Sequence, residues 1–270
     1  MKFSVITVCL NAGDLLWNTA ATVLDQTCTD WELIVKDGGS SDGSVDRLRE
    51  KLAAEYPLLQ EKVRIFTEPD TSIYDAMNQA TKHAVGEYFY FLNCGDLFFD
   101  KEVLSGLAEQ MSAHPQSLLF YGDVFDKLRS SVVRSNPKIN DFACYRHVPC
   151  HQACVYHRDL FSERGYLSEY RVRADYEHFL WSYFVKKANP AYLPMVLAEY
   201  EGGGFSETKE NRKRSAVEHR QIVSLYMKKG QVLWYRTLML LTLQPLRTFA
   251  AENRVLGKWY QRLKKAIYDR

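Results

Sequence analysis

The sequence predicts an α/β protein: a mostly parallel central sheet with helices on both faces and a helical extension at the C-terminal end. Two observations carry that expectation. Strand-like and helix-like segments alternate through the first half of the chain, as they do where crossover helices join parallel strands. Three of the apolar runs also stop abruptly in polar, turn-forming residues, and sheets of this kind bind ligands beyond the carboxyl ends of their strands.

Taken in order, the strand-like runs are Phe3 to Cys9, Trp31 to Val35, Val63 to Thr67, Tyr88 to Leu92 and Leu118 to Tyr121. Between them lie helix-like segments from Asp14 to Gln26, Ser44 to Tyr56, Ile73 to Val85 and Lys101 to Ala113. Further on, Ser131 to Ser135, Gln152 to Tyr156 and Ala191 to Tyr200 read as strands, and Ala174 to Lys187 as a helix. After the glycine run Gly202-Gly203-Gly204 come a charged helix from Lys209 to Lys229 and another from Val232. The expected division is a domain at 1–205, with halves 1–123 and 124–205, followed by a helical, basic, amphipathic extension at 206–270.

With 270 residues, 46% of them hydrophobic, the chain can bury a large core. Its near-balanced charge hides an asymmetry. From Tyr226 onward ten Lys or Arg face only Glu252 and Asp269, which leaves this tail at +8 and the remainder at −6 of the total +2. An acidic body with a basic, aromatic-containing tail points to a metal-using site and an anionic surface partner, with a solvated basic helix as the plainer alternative. Trp234, Tyr235, Arg236, Leu246, Arg247, Trp259, Tyr260 and Lys264 suit a helix lying in a membrane interface; core packing or dimerisation is the other reading. The run Leu238 to Leu243 is far shorter than the roughly 20 residues a spanning helix needs. The six cysteines sit in mostly apolar settings and the first residues lack the pattern of a signal peptide, so a cytoplasmic protein is expected. Cys150 and His151 lack a second ligand pair at zinc spacing.

The chemistry gathers at the strand ends. Asp37-Gly38-Gly39-Ser40 follows a strand but matches neither a dinucleotide fingerprint nor a P-loop. Asp37 is placed to accept hydrogen bonds from a base or ribose, and Asp42 to cap the next helix. Asp70 ends the third strand region, after which Thr71 or Ser72 caps a helix with Asp75 and Asn78 on one face. Asp96 closes Asn93-Cys94-Gly95-Asp96, where one carboxylate can suffice for Mn²⁺ or Mg²⁺ because water and phosphate supply the other ligands.

Ser4-Val5-Ile6-Thr7-Val8, Asp37 to Ser44, Glu68-Pro69-Asp70, Ile73-Tyr74-Asp75-Ala76-Met77-Asn78, Gly86-Glu87 and Phe91 to Asp96 together resemble family 2 glycosyltransferases of the GT-A fold. Within that family the chain is most similar to bacterial colanic-acid, capsule and O-antigen transferases, over roughly residues 3 to 205. The resemblance implies a UDP- or GDP-sugar donor held by Val8, Asn11, Asp37, Asp70, Asp75 and Asn78, with Asp96 as the metal ligand. Asn93 and Gly95 fill the earlier places of the family's D-x-D-type motif, and Gly38 stands where many members have a second Asp. In the second half His151 and Gln152 match the acceptor side. Asp175 matches the general base of inverting members, with Glu177 a weaker candidate for that role. The glycine segment from Glu201 to Ser206 resembles a flexible segment near the acceptor. The implied reaction is inverting sugar transfer to a glycan or polyprenyl-diphosphate-linked acceptor in surface polysaccharide biosynthesis, at the inner face of the plasma membrane. No nucleic-acid partner is expected. A silent nucleotide-sugar binder or docking subunit, and a sugar nucleotidyltransferase, are the rival readings.

Overall fold

The computed structural model describes residues 2–200 and 208–241. The glycine segment and the tail beyond Leu241, with Leu246, Arg247, Trp259, Tyr260 and Lys264, lie outside the described residues. The chain forms two compact units, Met1–Ile222 and Val223–Arg270, so the first continues past the division expected at 205.

The first unit is organised by one nine-stranded sheet. β1 (Phe3–Cys9) pairs in parallel with β2 (Trp31–Asp37) on one side and β4 (Tyr88–Phe91) on the other, and β2 pairs in parallel with β3 (Val63–Thr67). Every residue of β1, β2 and β4 is buried, as expected of strands covered on both faces. The order β3-β2-β1-β4 reverses direction between β1 and β4, which opens a crevice at their carboxyl ends.

The sheet is mostly parallel, with antiparallel strands set into it. β8 (Cys154–His157) is inserted antiparallel between β4 and β6 (Leu119–Asp126), so the two halves of the chain share one ladder. Parallel β9 (Ala191–Tyr200), antiparallel β5 (Leu97–Phe98) and the short β7 (Ser131–Val133) complete it. The fifth expected strand, β6, runs on to Asp126 because β7, β8 and β9 all pair with it. The segment expected to begin a strand at Gln152 instead makes a 3-10 turn at His151–Ala153 before β8.

Helices α1 (Asp14–Leu24), α2 (Ser44–Glu55) and α4 (Val103–Ser112) press Leu16, Val23, Leu48, Leu104 and Leu107 against Val5, Leu33, Val35 and Tyr90. α3 (Ile73–Thr81) and α7 (Ala174–Phe184) belong with a second cluster, in which Phe91, Tyr156, Phe161, Tyr166 and His178 stack ring on ring. Two short helices, α5 (Asp141–Arg146) and α6 (Asp159–Ser162), have no counterpart among the expected elements. α8 (Lys209–Tyr226) is followed in the second unit by α9 (Lys229–Leu241), which exposes Leu233, Trp234, Leu240 and Leu241. Among the described residues no helix is long and apolar enough to cross a membrane.

Candidate active site

Asp37 is the last residue of β2 and lies opposite Cys9, the last of β1. The chain turns immediately after it, and its own carboxylate holds the turn. Asp37 Oδ1 accepts from the Ser40 amide at 3.0 Å and the Ser40 hydroxyl at 2.5 Å. Asp37 is 2% exposed. Asn11 and Asp42 tie this loop to the one after β1: Asn11 Oδ1 accepts from Ser41 N at 2.9 Å, and Asp42 Oδ2 from Gly13 N at 2.8 Å. Asp42 also accepts from the Ser44 hydroxyl and amide, and these bonds hold its carboxyl down at about 2. Val8 is buried one residue before the end of β1.

A residue type that is costly to bury organises the donor side. Lys36, fully enclosed in β2, donates to Asp70 Oδ2 at 3.0 Å, Glu68 O at 2.6 Å and Asp37 O at 3.1 Å. All three ammonium protons therefore have acceptors, which is the condition under which a lysine can be buried. Asp70 is thereby fixed beside Gly38, where an added Cβ would lie 2.7 Å from Asp70 Oδ2. Any side chain at position 38 would displace Asp70. Gly38→Ala is expected to push Asp70 off Lys36 and to cost about 1–3 kcal/mol as an overpacking change, read from the urea midpoint.

Ser72 rather than Thr71 caps α3, its hydroxyl accepting from Asp75 N at 3.2 Å. Asp75 reaches back to the Thr71 amide at 2.9 Å, a bond that holds its carboxyl below the usual range. Asn78 is turned toward the second half: Oδ1 accepts from Tyr166 N and Nδ2 donates to Tyr166 O, both at 2.8 Å.

The turn from Asn93 to Asp96 is clamped by Thr19 of α1, whose hydroxyl accepts from Gly95 N at 3.0 Å and donates to Asp96 O at 2.9 Å. Gly95 sits at φ 96°, a conformation that strains any residue with a Cβ, so a carboxylate at that place would require a different turn. Divalent cations of the hard kind want oxygen ligands. Asn93 Oδ1 is enclosed and has no hydrogen-bond partner, an oxygen suited to join the Asp96 carboxylate around such an ion. Cys94 does not compete as a thiolate: its hydrogen bond with Cys9, then burial, push the thiol far up. Among the described residues no three His, Cys, Asp or Glu gather for a metal, so water and phosphate would have to complete the shell.

Two thiols register how the carboxylates converge. After its bond to Cys9 and its burial, Cys94 is pushed further up by both Asp96 and Asp37. Cys150, raised to about 12 chiefly by burial, is affected by both Asp96 and Asp175. Asp37 and Asp96 thus share the neighbourhood of one thiol, and Asp96 and Asp175 that of the other.

Asp175 stands in the first turn of α7, with Tyr74 of α3 donating to its Oδ1 at 2.8 Å. Glu177, 1% exposed, gives both oxygens to Arg164 at 2.9 Å. His151 lies within the influence of Asp175, yet burial holds the imidazole below its usual range and both ring nitrogens are enclosed without partners. Gln152 Oε1 accepts from the Cys150 thiol, and its carbonyl from the Tyr90 hydroxyl. The backbone leading into α7 is held by Glu218 of α8, whose carboxylate accepts from Arg171, Val172 and Arg173 N at 3.0, 3.0 and 2.9 Å. Lys36, Tyr74, Arg164 and Glu218 were not among the expected site residues. The unusual lysine at the end of an otherwise apolar strand was the one visible signal.

The fold is an α/β sheet with a switch point between β1 and β4, the place where sheets of this kind bind ligands, and it carries carboxylates from both halves of the chain. The family model for glycosyl transferase family 2 matches residues 4–170, ending before Asp175. A PGL/p-HBAD biosynthesis glycosyltransferase of Mycobacterium bovis is 35% identical over 228 residues, 81% of this chain and 85% of that protein. Among solved structures, S. aureus TarS 1–349 in complex with UDP superposes with a TM-score of 0.68 at 17% identity, over 96% of this chain and 77% of that one. The mannosyltransferase PcManGT from Pyrobaculum calidifontis, in complex with GDP-Man and Mn²⁺, gives 0.69 at 14% identity, over 100% and 88%. The chain belongs to glycosyl transferase family 2, and it has the GT-A-like fold of these neighbours.

Proposed function

We propose that this enzyme transfers a sugar, with inversion, from a UDP- or GDP-sugar to a hydroxyl of a glycan or polyprenyl-diphosphate-linked acceptor in surface polysaccharide biosynthesis. The observation that supports the reading is that carboxylates come from both halves of the chain, Asp37 at the end of β2 and Asp175 in the first turn of α7, with Asp96 acting on a thiol in common with each. Asp37 and Asp70 receive the base and ribose, and Asp75 and the backbone around Val8 and Asn11 complete the donor side. Asp96, with Asn93 Oδ1, holds Mn²⁺ or Mg²⁺, which when bound neutralises charge on the departing diphosphate. Two neighbouring structures hold a nucleotide or nucleotide sugar, one of them with Mn²⁺, which supports both assignments.

In the reaction the acceptor oxygen forms a bond to C1 as the C1–O bond to the diphosphate breaks, and the nucleoside diphosphate leaves with that electron pair. Asp175 takes the acceptor proton as C1 gains oxocarbenium character. The unpartnered ring nitrogens of His151 serve a substrate hydroxyl, and Gln152 holds the turn that presents them. The exposed apolar residues of α9 and the basic tail dock the enzyme at the inner membrane face.

The test is a thermal-shift screen against UDP-, GDP- and dTDP-sugars with and without Mn²⁺, on the wild type and Asp96→Ala. A donor-specific shift that needs Mn²⁺ and is lost in Asp96→Ala is expected. No shift with any donor, or an equal shift in the variant, overturns the assignment.

A further inference from the structure

We infer that Tyr74 is a positioning residue for Asp175, holding the carboxylate in the orientation that receives the acceptor proton. The inference rests on Asp175 being the base. Tyr74 and Asp175 are 101 residues apart and lie on different helices, yet the phenol hydroxyl is 2.8 Å from Asp175 Oδ1 and 3.0 Å from Val172 O. The phenol has one proton and both neighbours are acceptors, so the proton goes to the closer, ionised carboxylate, with the Val172 carbonyl beside it.

The ring packing does not depend on the hydroxyl. The residue is 8% exposed, and its ring meets Tyr166 at 5.3 Å, a contact that phenylalanine would keep. Burial and the adjacent Asp175 push the Tyr74 hydroxyl well above its ordinary range, so it stays a proton donor across the working pH and is not itself a base. Glu218 fixes the same stretch from the opposite direction through the amides of Arg171 to Arg173. The backbone is thus set by Glu218, and the side-chain rotamer of Asp175 by Tyr74. A carboxylate in the first turn of a helix has free rotation about χ1 and χ2 unless a partner selects one orientation. A proton-transfer group must keep its acceptor atom within hydrogen-bond reach of the reacting hydroxyl, and small misplacements are costly.

The experiment uses the full chain and the donor that shifts melting most in the screen, with Mn²⁺ and water as the acceptor, following nucleotide release. Tyr74→Phe is expected to lower kcat about tenfold while donor KM stays within about twofold. In an Asp175→Asn background, where no carboxylate remains to be oriented, adding Tyr74→Phe is expected to lower kcat no further. Wild-type kcat in Tyr74→Phe, or an equal further loss on top of Asp175→Asn, overturns the inference. The double variant also separates lost positioning from a partly unfolded protein, which would lose turnover in either background. Wild-type turnover in Asp175→Asn alone is a different result, and it removes the base assignment itself.

Discussion

Asp175→Asn is expected to lower turnover by about a thousandfold, within the 10²–10⁴ range of a lost general base, while nucleotide-sugar binding stays within about twofold of wild type. That factor corresponds to roughly 4 kcal/mol of transition-state stabilisation. The amide can still accept from Tyr74, so the local fold is kept, but it cannot take the acceptor proton. Asp175 stands on α7 of the second half whereas the residues proposed for the donor come from the first half, which is why donor affinity should be spared. Calorimetric titration of the donor beside single-turnover rates checks both halves of the expectation. A variant that loses donor binding and rate together would assign Asp175 to the donor instead.

The second large effect is on stability. Arg164→Met is expected to cost about 3–5 kcal/mol, because Glu177, 1% exposed, loses both of its bonds to the guanidinium. For a unit of this size that is on the order of 10 °C in melting temperature. Arg164 makes two 2.9 Å bonds to Glu177 and stacks its guanidinium 4.4 Å from the Trp181 ring centre. Removing both charges, as Arg164→Met with Glu177→Leu, should recover most of the loss, since a buried pair contributes little beyond satisfying itself. Differential scanning calorimetry of the single and double variants checks this. A double variant as unstable as the single would mean that packing, not charge, carries the cost.

Strands β1, β2 and β3 were legible because each is short, mostly apolar and stopped by turn chemistry. β1, β3 and β9 have the bounds expected of them. Asp37 and Asp96 were legible for the same reason, as carboxylates just past buried runs. What the sequence concealed depends on partners distant along the chain. Lys36 reads as a surface charge until Asp70, Glu68 and the Asp37 carbonyl are seen around it. Glu177 reads as a spare catalytic carboxylate until Arg164 is placed on it. Asn78 shares a helix face with Asp75, yet it is directed to the backbone of Tyr166, 88 residues away. β8 resembles any other strand locally. Its antiparallel placement between β4 and β6 is fixed by tertiary pairing and has no local signature.

That placement of β8 limits how such an enzyme can be recombined. The register Tyr88 with His157, Phe89 with Tyr156 and Tyr90 with Val155 joins the two halves by main-chain hydrogen bonds. A fragment cut at the 123/124 junction would carry β4 as an open edge, an invitation to pair with another chain. Exchanging whole acceptor halves between relatives therefore breaks a sheet, whereas exchanging surface loops leaves it intact. New acceptor preferences in this architecture are best sought by grafting connections between strands, with the ladder inherited as one piece.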